Sequence, residues 1–509
     1  MRDPDRNAGN STMTWWQYAA SAAIAAAGVA LVFVNTWRGG AVLSPDSAYY
    51  ISAARNLLAG RGLMCFDGAP LVAWPPLFPM LLAGLGRLGI EPVAGARFLN
   101  ASAFGATIFL TGVLLAQSVR DRVLAAIGTA AVMVSNSFFT TVAFVWTESV
   151  FALLLASLTL FIGRLAARGR TLDFIAVVLL TALAPLQRYM GVAMIPAAAL
   201  AIIAARELPL RRRAGYSVML CLLSPVPLGL WLVRNLRLSS TLTGERTGLF
   251  TALGPTALTL SRTILNWFLP DRVGKILGAF SIVLVLGAAV LTAWLVVSAT
   301  RRRTGSVPAQ VQFTLVTVLV YAAALLAAGG GYGHFEHDRF TAPVFFLTVL
   351  LLAVAAEHII QSSGHQRIGK ARARALVLAA GILLLVSPAT QFVSLTRRCI
   401  QTGRGGFSHV SWKRDGVIRW LKANPVSGRI LSNEPAAVYF LTGAGARLCP
   451  RLDDDPARLR QTGAVASGDH LVWFASIKRP YLMPPDELDR QFGLDVITSN
   501  QDGGVAVFR

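Results

Sequence analysis

Long apolar runs, separated by short basic connections, dominate the chain up to about residue 394. Runs of about 17–25 residues, the length that a helix needs to cross the hydrocarbon core of a bilayer, occur eleven times: 15–36, 98–118, 122–142, 147–163, 172–187, 189–205, 215–233, 277–299, 309–328, 340–360 and 375–394. The two runs beside Arg188 are short, and they form either one bent unit or a pair. The pattern predicts an α-helical polytopic membrane protein with about eleven transmembrane helices.

Composition and charge agree with a membrane protein. Hydrophobic residues make up 54% of the chain and charged residues only 14%, with a mean hydropathy of +0.57, whereas a soluble surface needs more charge. The formal net charge is +22 because lipid-buried helices omit acids, and the arginines collect between apolar runs, where they suit anionic headgroups. No basic helix or aromatic–basic motif is present, so we expect no nucleic-acid partner.

The arginine-rich connections predict the orientation in the membrane. If the spans are counted one by one, five such connections fall on the same side, which the positive-inside rule identifies as the cytoplasm. The opposite side receives a long first loop (37–97), a second loop (234–275), a short turn (329–339) and everything after residue 391. Because long loops usually carry function, we expect an extracytoplasmic active site in a protein of the plasma (inner) membrane.

The sequence predicts three parts. Residues 1–14 are polar and predicted to be disordered, and the apolar run that follows is predicted to be a retained first helix rather than a removed signal peptide. Residues 15–394 form the transmembrane domain, which includes the outer loop 37–97. Residues 395–509 form a small extracytoplasmic α/β domain, because β-type runs (429–432, 470–475, 504–508) alternate with helical ones (411–423, 435–442, 485–492). Within it, Cys399 and Cys449 either form a disulfide or are two free thiols.

The first outer loop contains two candidate features. Asp46 follows Pro45 at the start of an amphipathic helix, where the helix dipole stabilises a carboxylate; it is either a reactive acid or only the cap of this helix. Further on, Trp74 precedes two prolines, which cannot continue a helix. This predicts a kinked segment at the membrane interface with Trp74 at headgroup depth, and plain anchoring is the alternative.

Three charged side chains are predicted at the outer ends of spans. Glu148 either assists in chemistry, orients an acceptor or binds a divalent ion, or it forms a salt bridge with a neighbouring arginine. Arg188 and Arg339 either bind an anionic group or extend to lipid headgroups. The glycine-rich turn 329–338 contains His334 and other metal-capable side chains, but no second cluster completes a metal site, so we predict a mobile substrate loop and no metal.

The first outer loop resembles that of the GT-C glycosyltransferases. The resemblance lies in an acid followed four residues later by a tyrosine (Asp46, Tyr50), a short helix that ends in Gly-x-Gly, and then Pro-Pro-Leu before an apolar run. The most similar branch contains protein-mannosyltransferases, aminoarabinose transferases and lipopolysaccharide-core glycosyltransferases. The resemblance covers roughly residues 15–390 in architecture and is sharpest over 43–83. Looser matches surround Glu148, Arg188 and Arg339.

The resemblance implies an inverting glycosyltransferase. It implies transfer of a sugar from a polyprenyl-phosphate donor to an extracytoplasmic acceptor hydroxyl, with Asp46 as general base and Glu148 as a second catalytic residue. A carboxylate within hydrogen-bond reach can take the proton of the acceptor hydroxyl, while the leaving phosphate needs cationic donors. Tyr50, Trp74 and His334 are the expected substrate-binding residues.

The chain departs from the aminoarabinose-transferase pattern at three positions. Ser47 and Tyr49 replace part of an acidic doublet and an arginine, and Trp74 stands where that branch has a lysine that holds donor phosphate. The phosphate contact must therefore come from elsewhere. We predict Arg188 and Arg339 for it, and the lesser candidates are Arg234 and Arg246.

Two functions of other classes stay open. One is a multi-span transporter, although transporters usually place ionisable groups in the middle of spans and show two related halves. The other is a non-catalytic envelope assembly protein. For the enzyme, we expect membrane lipids, the polyprenyl-phosphate-linked sugar and a glycan, lipid or protein acceptor as partners. No cofactor is expected.

Overall fold

The computed structural model describes residues 14–244, 252–304, 308–328, 337–363, 369–402 and 405–509. These residues divide between two compact units. The membrane unit comprises Met1–Asn35, Val72–Phe78 and Phe98–Arg397, and the extramembrane unit comprises Thr36–Leu71, Pro79–Arg97 and Arg398–Arg509. Nearly all of the predicted disordered segment 1–14, together with His334 and Arg246, lies outside the described residues.

Helices account for almost all regular structure up to Thr402. They are α1 Trp15–Asn35, α2 Pro45–Leu58, α3 Leu77–Arg87, α4 Pro92–Ser118, α5 Arg122–Val134, α6 Asn136–Ala143, α7 Glu148–Arg168, α8 Thr171–Gln187, α9 Met194–Ala204, α10 Leu210–Leu223, α11 Val226–Ser239, α12 Leu253–Asn266, α13 Asp271–Leu277, α14 Phe280–Thr304, α15 Ala309–Ala328, α16 His337–Thr341, α17 Phe345–Ser362 and α18 Lys370–Thr402. A 3₁₀ segment, Tyr189–Ala193, joins α8 to α9.

The predicted membrane spans are helical in the structure. In the described part of the chain, eight helices are long and apolar enough to cross a bilayer, with α10 and α11 taken as one, and α5 with α6 adds a ninth that is bent by 45°. The two remaining predicted spans correspond to shorter apolar helices, Thr171–Gln187 and Tyr189–Ala204. The chain is therefore an integral membrane protein, and eleven as the exact number of spans stays a prediction.

A tight turn interrupts the helices between α8 and α9. Pro185 lies inside α8, close to its end. Gly191, in the 3₁₀ segment, approaches α8 so closely that a Cβ atom there would overlap the backbone of Ala184. Only glycine allows this approach, so the turn that carries Arg188 and Tyr189 is held firmly against the helix before it.

A five-stranded mixed sheet forms the centre of the extramembrane unit. Its strands are β1 Ile430–Ser432, β2 Arg447–Leu448, β3 His470–Phe474, β4 Leu494–Asn500 and β5 Gly503–Phe508, and its helices beyond residue 405 are α19 Val410–Arg414, α20 Gly416–Ala423, α21 Pro435–Thr442, α22 Pro456–Gln461 and α23 Pro485–Phe492. The strand order is β2-β1-β3-β5-β4. Strands β2, β1 and β3 are parallel, while β5 is antiparallel to β3 and β4. The predicted small α/β domain is therefore confirmed.

The first loop packs against this α/β fold within the same unit. Ala48 and Phe66 share a hydrophobic core with residues of the sheet and of α20 and α21, including Ile430 and Phe474. The backbone N–H of Phe407 donates to the Leu43 carbonyl at 2.9 Å. Although the predicted division at residue 394 placed the loop with the transmembrane domain, most of the loop belongs to the compact unit of the C-terminal segment.

The four cysteines form no disulfide. Cys399 and Cys449 are both buried, and the structure holds no bond between them. Of the two alternatives that the sequence left open for this pair, the structure shows two thiols that are not joined to each other.

Candidate active site

Glu148 is the first residue of α7 and is completely buried, with 0% of its surface exposed. A carboxylate at this position is favoured by the partial positive charge of the helix N-terminus. Its Oε1 atom accepts hydrogen bonds from two arginines, from Nη1 of Arg188 and from Nε of Arg339, the latter at 2.6 Å. The salt bridge that was one alternative for Glu148 is thus present, with two arginines rather than one.

The two arginines reach this carboxylate from separate elements. Arg188 is the C-cap residue of α8, and Arg339 lies in the short helix α16. The Arg188 Nη1 also donates to the Thr147 hydroxyl at 2.9 Å, and the guanidinium of Arg339 lies 4.1 Å from the centre of the Trp146 ring. Both residues are buried, with 8% and 9% exposed, so the alternative in which they extend to lipid headgroups is wrong.

The cluster contains two guanidinium groups and one carboxylate. Glu148, Arg188 and Arg339 lie in a buried place, where electrostatic interactions are stronger than in water. Within the described residues, Oε2 of Glu148 has no hydrogen-bond partner, so one oxygen atom holds both cations. Guanidinium groups bind phosphate oxygens well because their donors are planar and permanently charged. Two guanidinium groups placed together are therefore chemically suited to binding a phosphate group.

Neighbours that the sequence did not single out support the cluster. Gln187 donates from Nε2 to the Thr147 carbonyl at 3.0 Å, which fixes the residue before Glu148. The ring of Phe340 lies 5.4 Å from the guanidinium of Arg188 and 5.6 Å from that of Arg339. The sequence indicated Gln187 and Phe340 only through their positions, because Gln187 directly precedes Arg188 and Phe340 directly follows Arg339.

Arg234, the lesser candidate for phosphate binding, lies on α11. Its guanidinium is stacked 4.3 Å from the centre of the Trp231 ring and donates to Oδ1 of Asn235 at 3.0 Å. Trp231 and Asn235 both bond to the hydroxyl of Tyr189, at 2.9 and 3.4 Å. This second polar group therefore contacts the residue that follows Arg188.

The extramembrane unit contains the predicted general base. Asp46 lies half-buried in the first turn of α2, but the N-cap is Ser44, which exchanges hydrogen bonds with Ser47. The alternative in which Asp46 caps the helix is therefore wrong. One turn further, Tyr50 is only 2% exposed. Burial, followed by the charges of Asp67 and of neighbours that include Asp46, raises the pKa of Tyr49 above its ordinary value, so its hydroxyl stays protonated.

The predicted site residues thus divide between the two units. Glu148, Arg188 and Arg339 form one cluster in the membrane unit, and Trp74 is half-buried in the Val72–Phe78 segment of the same unit. Asp46 and Tyr50 belong to the extramembrane unit. Within the described ranges, no group of three His, Cys, Asp or Glu side chains is placed to hold a metal ion.

Comparison with solved structures identifies the fold. ArnT from Cupriavidus metallidurans bound to undecaprenyl phosphate matches with a TM-score of 0.58 and 14% identity over 95% of this chain and 97% of that one. The apo state of the same enzyme gives 0.57, again with 14% identity and the same coverage. An Archaeoglobus fulgidus oligosaccharyltransferase in complex with zinc and sulfate gives 0.58 with 12% identity over 89% and 67%.

Both proteins are membrane glycosyltransferases of the GT-C superfamily. The chain therefore has the GT-C fold, as the sequence resemblance implied. No protein-family model and no curated protein matches the sequence itself. Because the identities are low, the likeness establishes the architecture, and the function has to be argued from the site.

Proposed function

We propose that this protein is a membrane glycosyltransferase that transfers a sugar from a polyprenyl-phosphate-linked donor to an acceptor hydroxyl. The observation that carries the proposal is the buried pair Arg188 and Arg339 on the single carboxylate of Glu148. A pair of buried guanidinium groups in the membrane unit of a GT-C fold suits the phosphate of a lipid-linked sugar.

The arginine pair would bind the donor phosphate and stabilise it as it leaves. During transfer, the bond between the anomeric carbon and the phosphate oxygen breaks, and negative charge grows on that oxygen. Cationic donors that are already in position stabilise this charge without reorganisation. The likeness to ArnT bound to undecaprenyl phosphate supports a polyprenyl phosphate as the lipid part.

Asp46 would act as the general base. The acceptor oxygen forms a bond to the anomeric carbon as the phosphate leaves, and the acceptor proton passes to the Asp46 carboxylate. One displacement of this kind inverts the anomeric configuration. In this mechanism Glu148 holds the two arginines instead of exchanging a proton, because its Oε1 is bonded to both. Tyr50, Trp74 and His334 remain the proposed contacts to the sugar and acceptor, on the extracytoplasmic side.

Lipid binding tests the proposal without knowledge of the sugar. Purified protein in lipid nanodiscs is titrated with undecaprenyl phosphate and, separately, with undecaprenol, which has the same chain and no phosphate. We expect binding of the phosphate form only. Replacing either arginine of the pair with Gln should weaken it by about 10- to 100-fold, since one charge-assisted hydrogen bond contributes about 1.5–3 kcal/mol.

Arg374→Gln is the matched control. Arg374 also pairs with a carboxylate, Asp121, at 2.5 Å, but its side chain is 47% exposed. This variant should bind undecaprenyl phosphate as the wild type does. Equal binding of undecaprenol and its phosphate, or equal loss of binding in Arg374→Gln and Arg188→Gln, would show that the arginine pair is not a phosphate site.

A further inference from the structure

The adjacent residues Arg188 and Tyr189 contact two different parts of the membrane unit. The Arg188 backbone is extended, with φ −150° and ψ 132°, and in extended chain consecutive side chains point to opposite sides. Arg188 binds Glu148. Tyr189 instead donates its hydroxyl hydrogen to the backbone carbonyl of Val72 at 2.7 Å, although 117 residues separate the two positions in sequence.

The Tyr189 hydroxyl lies at the centre of a hydrogen-bonded network. It accepts from Nε1 of Trp231 at 2.9 Å and from Nδ2 of Asn235 at 3.4 Å. Because a phenol hydroxyl has one hydrogen and two lone pairs, these bonds and the bond to Val72 use its full capacity. Asn235 is 0% and Trp231 7% exposed, so water does not readily replace these partners.

The network rests on rigid backbone at both ends. Gly191 presses against α8 and fixes the turn that carries Tyr189. Asn235 also donates to the Leu242 carbonyl at 2.9 Å. Two residues further, Gly244 approaches so closely that a Cβ atom there would lie 3.0 Å from the Cβ of Ala73. The start of the Val72–Phe78 segment is therefore held by the Tyr189 turn and packed against the chain after α11.

The Val72–Phe78 segment is the part of the first loop that belongs to the membrane unit. It carries Trp74, followed by Pro75 and Pro76, which have no backbone N–H to donate. These two residues can form backbone hydrogen bonds only through their carbonyl groups. A phenol that approaches a backbone carbonyl of the segment from a fixed turn is a direct way to hold the segment.

We propose that Tyr189 is a positioning residue that ties the Val72–Phe78 segment to the turn carrying Arg188. An anion bound at the arginine pair would then also restrain this segment, so that donor binding and the placement of Trp74 are coupled. The tether, meaning the hydrogen bond by which Tyr189 holds the segment, is argued from the contacts alone. The coupling, meaning the effect of donor binding on the placement of Trp74, rests on the proposed function.

Amide hydrogen exchange of the full-length protein in nanodiscs, read by mass spectrometry, tests both parts. Tyr189→Phe keeps the ring and removes the hydroxyl. In this variant the non-proline amides of Val72–Phe78 should exchange about tenfold faster, which corresponds to the loss of about one net hydrogen bond. Thr181→Val is the matched control, because the Thr181 hydroxyl is also buried and donates to a carbonyl, that of Val177, at 2.7 Å. It should leave the segment unchanged.

Undecaprenyl phosphate then tests the coupling. In the wild type it should slow exchange in Val72–Phe78, and in Tyr189→Phe it should bind with similar affinity and no longer slow it. A residue that only supports the fold would instead speed exchange throughout the membrane unit. Unchanged exchange of the segment in Tyr189→Phe would overturn the tether. Lipid binding that leaves the wild-type segment unaffected would overturn the coupling alone, whereas no lipid binding at all would overturn the proposed function and the coupling with it.

Discussion

Glu148→Gln gives the most direct test of the charge arrangement in the membrane unit. The substitution keeps the shape of the side chain and an oxygen that accepts hydrogen bonds, but it removes the negative charge that holds Arg188 and Arg339. The two guanidiniums are buried, with 8% and 9% exposed, so they cannot recover full hydration. In the variant, the carboxylate that both guanidiniums contact is replaced by a neutral amide.

The size of the effect follows from burial. Removing one partner of a buried ion pair costs about 3–5 kcal/mol, because the remaining charge is left without compensation. Glu148 is 0% exposed and serves two cations, so we expect a loss near the upper end of this range. Equilibrium unfolding in mixed detergent, followed by tryptophan fluorescence, measures the free energy of unfolding directly.

A bound phosphate should restore part of this loss. The anion supplies the missing negative charge, so undecaprenyl phosphate should bind the variant more tightly than the wild type and raise its unfolding temperature more. Ligand present at a hundredfold excess over its Kd stabilises by about 2.7 kcal/mol, and each tenfold gain in affinity adds about 1.4 kcal/mol. Comparing the lipid affinity and the unfolding temperature of Glu148→Gln with those of the wild type therefore distinguishes a phosphate site from a purely structural ion pair.

Glu434→Gln in the extramembrane unit is the matched control. Glu434 is also a buried carboxylate, 4% exposed, and it pairs with Arg479 at 2.5 Å. Whatever Glu434→Gln does to the unfolding temperature, the lipid phosphate should shift that temperature by the same amount as in the wild type, because Glu434 lies outside the arginine cluster. If Glu148→Gln were as stable as the wild type, or if the lipid rescued both variants equally, the reasoning from the buried charge would be refuted.

Three further predictions address other parts of the chain. Double replacement of Arg188 and Arg339 with Gln should abolish binding of undecaprenyl phosphate in the nanodisc titration, because both cations that face the anion are lost. Asp46→Asn should leave this binding unchanged and lower sugar transfer to the acceptor by at least about 100-fold in a radiolabel assay, since general-base catalysis typically contributes 10²–10⁴-fold; transfer at the wild-type rate would exclude Asp46 as the base. Burial, followed by the charge of Asp502, raises the pKa of Asp415. The folded protein therefore disfavours the charged carboxylate, which lowers the free energy of unfolding. This destabilisation is absent below the pKa that Asp415 has in the unfolded chain, and it is complete once pH has risen through the higher pKa of the folded state. Asp415→Asn should accordingly stabilise the protein at pH 7.5 and not at pH 3 in thermal unfolding scans, and the opposite order would contradict this sign.

The membrane part of the fold could be predicted from the sequence because the bilayer imposes a length on every apolar helix. All eleven predicted runs are helical. The α/β domain was also predicted, and α21 and α23 have their predicted bounds. Strands β2 and β4 were missed: Arg447–Leu448 spans two residues, and Leu494–Asn500 is mostly exposed. Neither carries a clear period of buried and exposed positions.

The helix predicted over 411–423 is two helices. Asp415 separates α19 from α20 because its side chain accepts from the backbone N–H of Ile418 at 3.0 Å, so that it caps α20. The hydrophobic pattern continues across the break and gave no sign of it. Such local caps compete with continuous helix and are hard to weigh from sequence alone.

The candidate site could be predicted in part. The positions of Glu148, Arg188 and Arg339 at the ends of apolar runs marked them as unusual, because charges at membrane depth need a reason. The sequence could not predict that Arg188 and Arg339 both donate to Oε1 of Glu148, since 191 residues separate Glu148 from Arg339. The role of Tyr189 was equally hidden, because its partner Val72 is an ordinary apolar residue.

The make-up of the extramembrane unit restricts how the chain threads the membrane. Thr36–Leu71, Pro79–Arg97 and the segment after Arg398 fold together, so they must emerge on the same side of the bilayer, and the chain between them must cross an even number of times. Among the described residues, seven of the eight long apolar helices follow α3, and seven is an odd number. Counting α5 with α6 as a bent span gives eight, and adding the two short helices that flank Arg188 gives ten; both numbers are even. The parity therefore favours the bent pair as a crossing, and it requires that the two short helices around the arginine turn either both cross the bilayer or both stop short of crossing it.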